Sequence, residues 1–161
     1  METVSVGINK NISYKVYIDE NFLENSEAVK PLFEKYARAL IITDDNVRKL
    51  YLNNVLNILK RHIADISVFC LYPKETSKTI VTAEKILTKL SDKNYRKDDI
   101  IISLGGGMVS DIAGFCASVY KRGIHLCHMP TTVLAQTDAS IGGKTAVNTG
   151  RGKNMIGTLY H

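Results

Sequence analysis

The sequence lacks any apolar run near the roughly 18 residues that cross a bilayer. Its start, METVSVGINK, has no basic segment followed by an apolar one, so nothing there reads as a secretory signal. Cysteine is scarce. Cys70, Cys116 and Cys127 are odd in number, form no C-x-x-C and sit among apolar residues. That set fits reduced, buried thiols in a cytoplasmic protein rather than a disulfide framework. No internal repeat or low-complexity tract is present. Acidic residues almost vanish from residues 121–161. There Asp138 stands alone against Lys121, Arg122, Lys144, Arg151 and Lys153, so most of the net charge of +5 lies in that stretch. These cations are dispersed among Gly, Thr and Asn, with Tyr120 and Tyr160 only at the ends. The pattern suits a small polyanion such as a phosphorylated metabolite better than a nucleic-acid backbone.

The chain has 161 residues, 45% hydrophobic and 23% charged, enough for one domain with a sizeable core and too apolar for global disorder. Weak alternation over Val4, Val6, Ile8 and then Tyr14, Val16, Ile18 predicts two short strands, with Gly7 to Lys10 near a turn. Glu24 to Arg38 reads as a helix containing Pro31. The run Ala39–Thr43, ending at Asp44-Asp45, reads as a buried strand. Val47, Leu50, Tyr51, Val55, Ile58 and Leu59 then recur at helical spacing. A strand follows over Ile66–Leu71, a turn over Pro73–Lys78, and an amphipathic helix over Ile80–Leu90. Ile100–Leu104 is the strongest strand signal. Gly105-Gly106-Gly107 breaks it, a small-residue helix spans Val109–Tyr120, and Ile124–Met129 is a further strand. After Ala139 the pattern reads as irregular and glycine-rich. Alternating strands and helices imply an α/β parallel sheet, whose ligands bind at the carboxyl ends of the strands. Asp44, Glu75, the triple glycine and Thr131-Thr132 all fall at such ends.

Glycines between a buried strand and a helix let a diphosphate approach the backbone, where the helix N-terminus offers oriented N–H groups. The fingerprint G-x-G-x-x-G is met at Gly105 and Gly107 but carries Ser110 at its last position. Asp111, in the first turn, is either a cap or a hydrogen-bonding partner of a ribose or nicotinamide. Gly142-Gly143-Lys144-Thr145 ends like a phosphate-binding loop, yet Asp138 occupies the position that needs glycine, and its charge would repel a triphosphate. His125-x-x-His128 on a strand places the two rings on opposite faces, which argues against a metal pair. Taken alone, Glu75-x-x-Lys78 reads as a solvated turn. Lys144, Lys153 and Asn154 read as glycine-rich loop residues that, with Arg122, either converge on a phosphate or are scattered surface charge.

The segment from Leu104-Gly-Gly-Gly-Met-Val-Ser-Asp-Ile-Ala-Gly-Phe, through Met129-Pro-Thr-Thr-Val-Leu-Ala-Gln-Thr-Asp-Ala-Ser-Ile-Gly-Gly-Lys-Thr-Ala-Val-Asn, to Gly152-Lys-Asn-Met-Ile-Gly closely resembles the 3-dehydroquinate synthase family. The likeness extends more weakly to Asp44 and Glu75-x-x-Lys78. It implies a Rossmann-like parallel sheet flanked by helices, with short N-terminal strands. The activity implied is phosphate elimination from the seven-carbon sugar phosphate DAHP to give 3-dehydroquinate, in the shikimate pathway of aromatic amino acid biosynthesis. NAD is the implied cofactor, with a divalent metal, zinc or cobalt. By position, cofactor contacts would come from Asp44, Glu75, Lys78, Gly106, Gly107, Met108, Val109, Ser110, Asp111, Thr131, Thr132, Lys144 and Lys153. Arg122, Asp138, Lys144, Lys153 and Asn154 would line the substrate and nicotinamide end.

Residues 1–161 would then form the NAD-binding N-terminal domain. The family's metal-binding Glu and two His would lie in a helical C-terminal domain not included here, leaving this piece inactive by itself. The parent enzyme would be a cytoplasmic homodimer acting on a small sugar phosphate, with no membrane or nucleic-acid partner. Two features depart from the family: Ser110 replaces a loop glycine, and Pro73-Lys74 replaces Asp-Gly. Rival readings are another sugar-phosphate cyclase, a glycerol-dehydrogenase-like enzyme, or a non-catalytic anion-binding module.

Overall fold

A computed structural model describes residues 1–9, 12–20 and 26–161. Two strands, β1 (Glu2–Asn9) and β2 (Ile12–Ile18), pair antiparallel as a separate hairpin. The helix α1 (Ser26–Phe33) leads to β3 (Arg38–Asp44). The helical path α2 (Asp45–Val47), a π-turn (Arg48–Leu52) and α3 (Asn53–Leu59) then returns the chain to β4 (Asp65–Leu71). Helix α4 (Ile80–Asp92) precedes β5 (Ile100–Gly105), and α5 (Gly107–Val119) precedes β6 (His125–Pro130).

These four strands form one parallel sheet in the order β4-β3-β5-β6. The strands are apolar on both sides because both faces are covered. Alternation within β3 shows it. Ala39 and Ile41 pack with Val29, Phe33, Val55 and Leu59 from α1 and α3. Leu40 and Ile42 pack with Ala83, Ile86, Ile112 and Ala113 from α4 and α5. The result is a three-layer α/β/α arrangement.

From β3 the chain passes to one face, and from β5 to the other, so their carboxyl ends open a crevice between them. Such a switch point is the usual ligand position in an open α/β sheet. Here it separates Asp44, at the end of β3, from Gly105–Gly107, after β5.

Three local expectations change. Helix α1 stops at Phe33 rather than running to Arg38, because Arg38 is drawn into β3 opposite Asp65 and forms an ion pair with it at 3.6 Å. Glu24 and Lys10 lie outside the described residues. The segment after Ala139 is not irregular. A π-turn (Ala135–Ala139) leads into it, and it forms an antiparallel hairpin, β7 (Lys144–Thr149) and β8 (Gly152–Leu159). Thr145 and Val147 are buried while their neighbours in β7 are not. Thr145 meets α5 at Gly114, where any Cβ would collide with its methyl group. That close approach to α5, not local propensity, makes the strand. Finally, Cys116 is buried but Cys70 is exposed, on the sheet edge formed by β4. Among the described residues, no helix is long and apolar enough to cross a membrane.

Candidate functional site

A cleft of about 320 Å³ opens at the switch point, lined by Asp44, Asn46, Val47, Pro73, Lys74, Glu75, Gly106, Met108 and Thr132. Four separate chain segments converge there. Asp44 is nearly buried, and its Oδ1 accepts from the amides of Asn46 (2.9 Å) and Val47 (3.1 Å). A carboxylate serves this end well, since it satisfies amides that the first helical turn leaves free. The carboxylate is thereby fixed in direction at the cleft wall.

The glycine loop is shaped by close contacts. A Cβ on Gly105 would overlap Val109, one on Gly106 would lie 3.3 Å from the Thr132 methyl, and one on Gly107 would lie 3.4 Å from Ala139. Thr131 N donates to Gly105 O at 3.0 Å, tying the segment after β6 to the loop after β5. The first intrahelical bonds of α5 run from Val109 N and Ser110 N to Gly106 O, at 3.1 and 3.0 Å. The amides before them face outward from the helix start. Val109 points into the core, so only its backbone is available to a ligand. The buried hydroxyls of Ser110 and Thr131 have no hydrogen-bond partner, unusual for buried polar atoms. Thr132 Oγ1 accepts from Ala135 N at 3.2 Å and caps the next turn.

Glu75-x-x-Lys78 is not a solvated turn. Lys78 is 3% exposed. Its Nζ lies 2.6 Å from Asp111 Oδ2, 2.6 Å from Asn154 Oδ1 and 3.6 Å from Glu75 Oε1. Asp111 therefore pairs with a lysine instead of capping its helix. Burial pushes its carboxyl above the ordinary range; Lys78 opposes the shift, and the charges of Glu75 and Asp138 add to it. Asp138 thus stands close enough to Asp111 to be felt, on the turn that also carries Ala139.

Lys144, Lys153 and Asn154 belong to strands rather than glycine-rich loops. Asn154 joins the Lys78 cluster directly, and Lys153 is its exposed neighbour. Lys144 is exposed at the other end of β7, four residues or about 13 Å of strand from Asn148. Arg122 is not brought to the cleft. Helix α5 carries the chain from the glycine loop down to the amino ends of the strands, and Arg122 precedes β6 there, exposed. It shares this left-handed turn with Lys121 and Gly123, at φ 65°, 48° and 123° respectively. The sequence reasoning also missed Asn148, which bonds Glu75, Asn154 and Lys78. It ends the segment that carries the family resemblance, but nothing in its spacing marks a role, and only the hairpin's fold reveals one.

The two histidines of His125-x-x-His128 point apart. His125 tilts against Tyr36 with ring centroids 5.2 Å apart, while His128 Nδ1 lies 2.6 Å from Ser103 Oγ. Burial pushes His128 down to about 4. Among the described residues no three His, Cys, Asp or Glu side chains are grouped to hold a metal ion.

The family model for the 3-dehydroquinate synthase N-terminal region matches residues 68–161. The chain belongs to the 3-dehydroquinate synthase family. The 3-dehydroquinate synthase of Clostridium kluyveri is 40% identical over 162 residues, a match that covers all of this chain and 45% of that protein. The chain thus spans less than half the length of the curated relatives it matches.

Two solved synthases share the fold. A 2-deoxy-scyllo-inosose synthase complexed with carbaglucose-6-phosphate, NAD+ and Co2+ superposes with a TM-score of 0.90 at 25% identity, over 99% of this chain and 43% of that one. The 2-epi-5-epi-valiolone synthase of Streptomyces hygroscopicus, with NAD+ and Zn2+ bound, gives a TM-score of 0.83 at 30% identity, over 96% of this chain and 42% of that one.

Proposed function

We propose that this chain is the NAD-binding domain of a 3-dehydroquinate synthase. The observation that carries the reading is the cleft at the β3/β5 switch point, where Asp44, Glu75, the glycine loop and Thr132 meet. The residues fit the cofactor. The loop after β5 has no side chain that would hold a diphosphate off the helix start, and two buried hydroxyls beside it lack partners. Asp44, anchored by two amides, would accept from a ribose hydroxyl. Gly106, Gly107, Met108 and the backbone of Val109 would hold the diphosphate at the start of α5. Ser110, Thr131 and Thr132 would offer hydroxyls along the same wall.

Bound NAD would take a hydride from a substrate alcohol and later return it. The chain's own residues would prepare that exchange. Lys78 would be held by Asp111 and Asn154 at the buried end of the cleft, its charge compensated, so that it orients polar groups without drawing in water. Lys153 and Lys144, on the exposed hairpin, would attract the sugar phosphate and stabilise charge on the phosphate as it leaves. Asp138 would accept from a substrate hydroxyl. Arg122 lies at the other end of the sheet, away from this chain's own cleft. The described residues hold no group of His, Cys, Asp or Glu side chains that fits a metal ion.

In the whole enzyme the reaction would be conversion of DAHP to 3-dehydroquinate and phosphate, in the cytoplasm, by a homodimer whose zinc or cobalt is held by residues outside these 161. The deciding experiment is calorimetric titration of NAD+ into the chain, followed by assay with DAHP. Binding of NAD+ without turnover is expected. Tight, salt-sensitive binding of an oligonucleotide with no heat from NAD+ would replace this reading with an anion-binding module.

A further inference from the structure

The β7–β8 ladder breaks at one place. Val147 pairs with Ile156 and Thr149 with Gly152, so Lys153, Asn154 and Met155 of β8 together face the single residue Asn148. Asn154 sits in this bulge with φ 56°, a left-handed conformation uncommon for a residue other than glycine. Bulges of this kind re-aim side chains and are frequent beside active sites. The ladder bond that the bulge loses is replaced by a side chain: Asn154 N donates to Asn148 Oδ1 at 2.9 Å.

The other half of the Asn148 amide faces the cleft-lining turn. Its Nδ2 donates to Glu75 Oε1 at 2.9 Å and to Glu75 O at 3.3 Å. Its backbone N donates to Lys78 O at 2.7 Å. One carboxamide therefore sets two groups at once, a carboxylate at the cleft wall and the bulge whose Asn154 Oδ1 receives the Lys78 ammonium. Only a side chain that both donates and accepts can do this.

We propose that Asn148 is a positioning residue for the cofactor cleft, acting through Glu75 on one side and through Asn154 and Lys78 on the other. The proposal rests on the reading of the cleft as an NAD site. Asn148 is not among the residues lining the cleft, and in this role it acts by setting where Glu75, Asn154 and Lys78 stand.

Two variants separate the donor from the acceptor. Asn148→Ala removes both. Asn148→Asp keeps the acceptor for Asn154 N–H but sets a second carboxylate against Glu75, and a proton on the new carboxyl restores the donor. NAD+ titrations at about pH 8 and about pH 5 should show Asn148→Ala weakened about tenfold at both, the loss expected for a hydrogen bond to a charged group. Asn148→Asp should be weakened similarly at the higher pH and recover towards wild type at the lower one.

Hydrogen exchange of the Asn154 amide in the ligand-free chain gives an independent readout. It should quicken about tenfold or more in Asn148→Ala and stay near wild type in Asn148→Asp. Variants that melt earlier yet bind NAD+ as wild type does, with no pH dependence, would overturn the proposal and leave Asn148 a purely structural residue. So would unchanged exchange at Asn154 in Asn148→Ala. Should wild type take up no NAD+, the cofactor reading and the positioning role built on it both fall, and a quickened Asn154 amide would then mark Asn148 as structural only. If Asn148→Ala does not fold, Asn148→Asp carries both measurements, because it preserves size and the acceptor.

Discussion

Replacing Lys78 by methionine keeps the length of the side chain and removes its charge. In the native fold that charge is nearly sealed from water, its side chain 4% exposed, and it faces Asp111, whose side chain is 22% exposed, at 2.6 Å. Breaking a buried pair from one side costs about 3–5 kcal/mol, because the remaining charge is left without its partner. The partial exposure of Asp111 places the expected loss at the lower end, about 3 kcal/mol. At roughly 2–4 °C per kcal/mol for a chain of this size, the midpoint should fall by about 6–12 °C.

The loss should depend on pH. Burial already holds the Asp111 carboxyl above its ordinary range, and Lys78 is the group that opposes the shift. A carboxyl whose folded value is raised contributes stability that is present below the unfolded value and disappears as pH rises through the folded one. Without Lys78 the folded value climbs further. Lys78→Met should therefore be most damaging near about pH 8 and milder near about pH 5. Urea unfolding at both pH values measures this, and Lys78→Met/Asp111→Asn should recover most of the loss at the higher pH. A single variant within about 1 kcal/mol of wild type at about pH 8 would refute the reasoning, since that is the behaviour of a surface ion pair.

Burial lowers His128 from 6.5 to about 4, so its contribution should be intact above about pH 6.5 and be lost as pH falls towards about 4. Wild type should lose about 3 kcal/mol over that window relative to His128→Gln, read from denaturant midpoints. Gly114→Ala should destabilise by about 1–3 kcal/mol in spite of alanine's better helix propensity, because the added methyl meets Thr145 on β7; a stabilised variant would show that the hairpin is not clamped to α5. Gly106→Ala, at φ −83° and with Thr132 3.3 Å from the new methyl, should fold normally and bind NAD+ about tenfold more weakly, a difference of about 1.4 kcal/mol by calorimetry. Undiminished affinity there would remove the glycine loop from the cofactor site.

Much of this protein is determined by local pattern alone. Apolar runs at 39–43 and 100–104, helical spacing at 80–90 and a glycine break after Leu104 specify a parallel α/β sheet, since each element carries its own periodicity and its own punctuation. The positions of Asp44, Gly106 and Thr132 at strand ends follow from the same pattern, and with them the mouth of the cleft.

What the tertiary structure alone decided is which polar residues meet. Lys78 and Asp111 are separated by 33 residues and Lys78 and Asn154 by 76, so no spacing rule links them, and a turn lysine became the most buried cation in the site. The hairpin at 144–159 was illegible because its few apolar residues form too short an alternation; contact with α5 at Gly114 supplies the stability that propensity lacks. Arg122 was separated from the other cations for the same reason. Charge and proximity in sequence carry no direction, and one intervening helix moved it to the far end of the sheet.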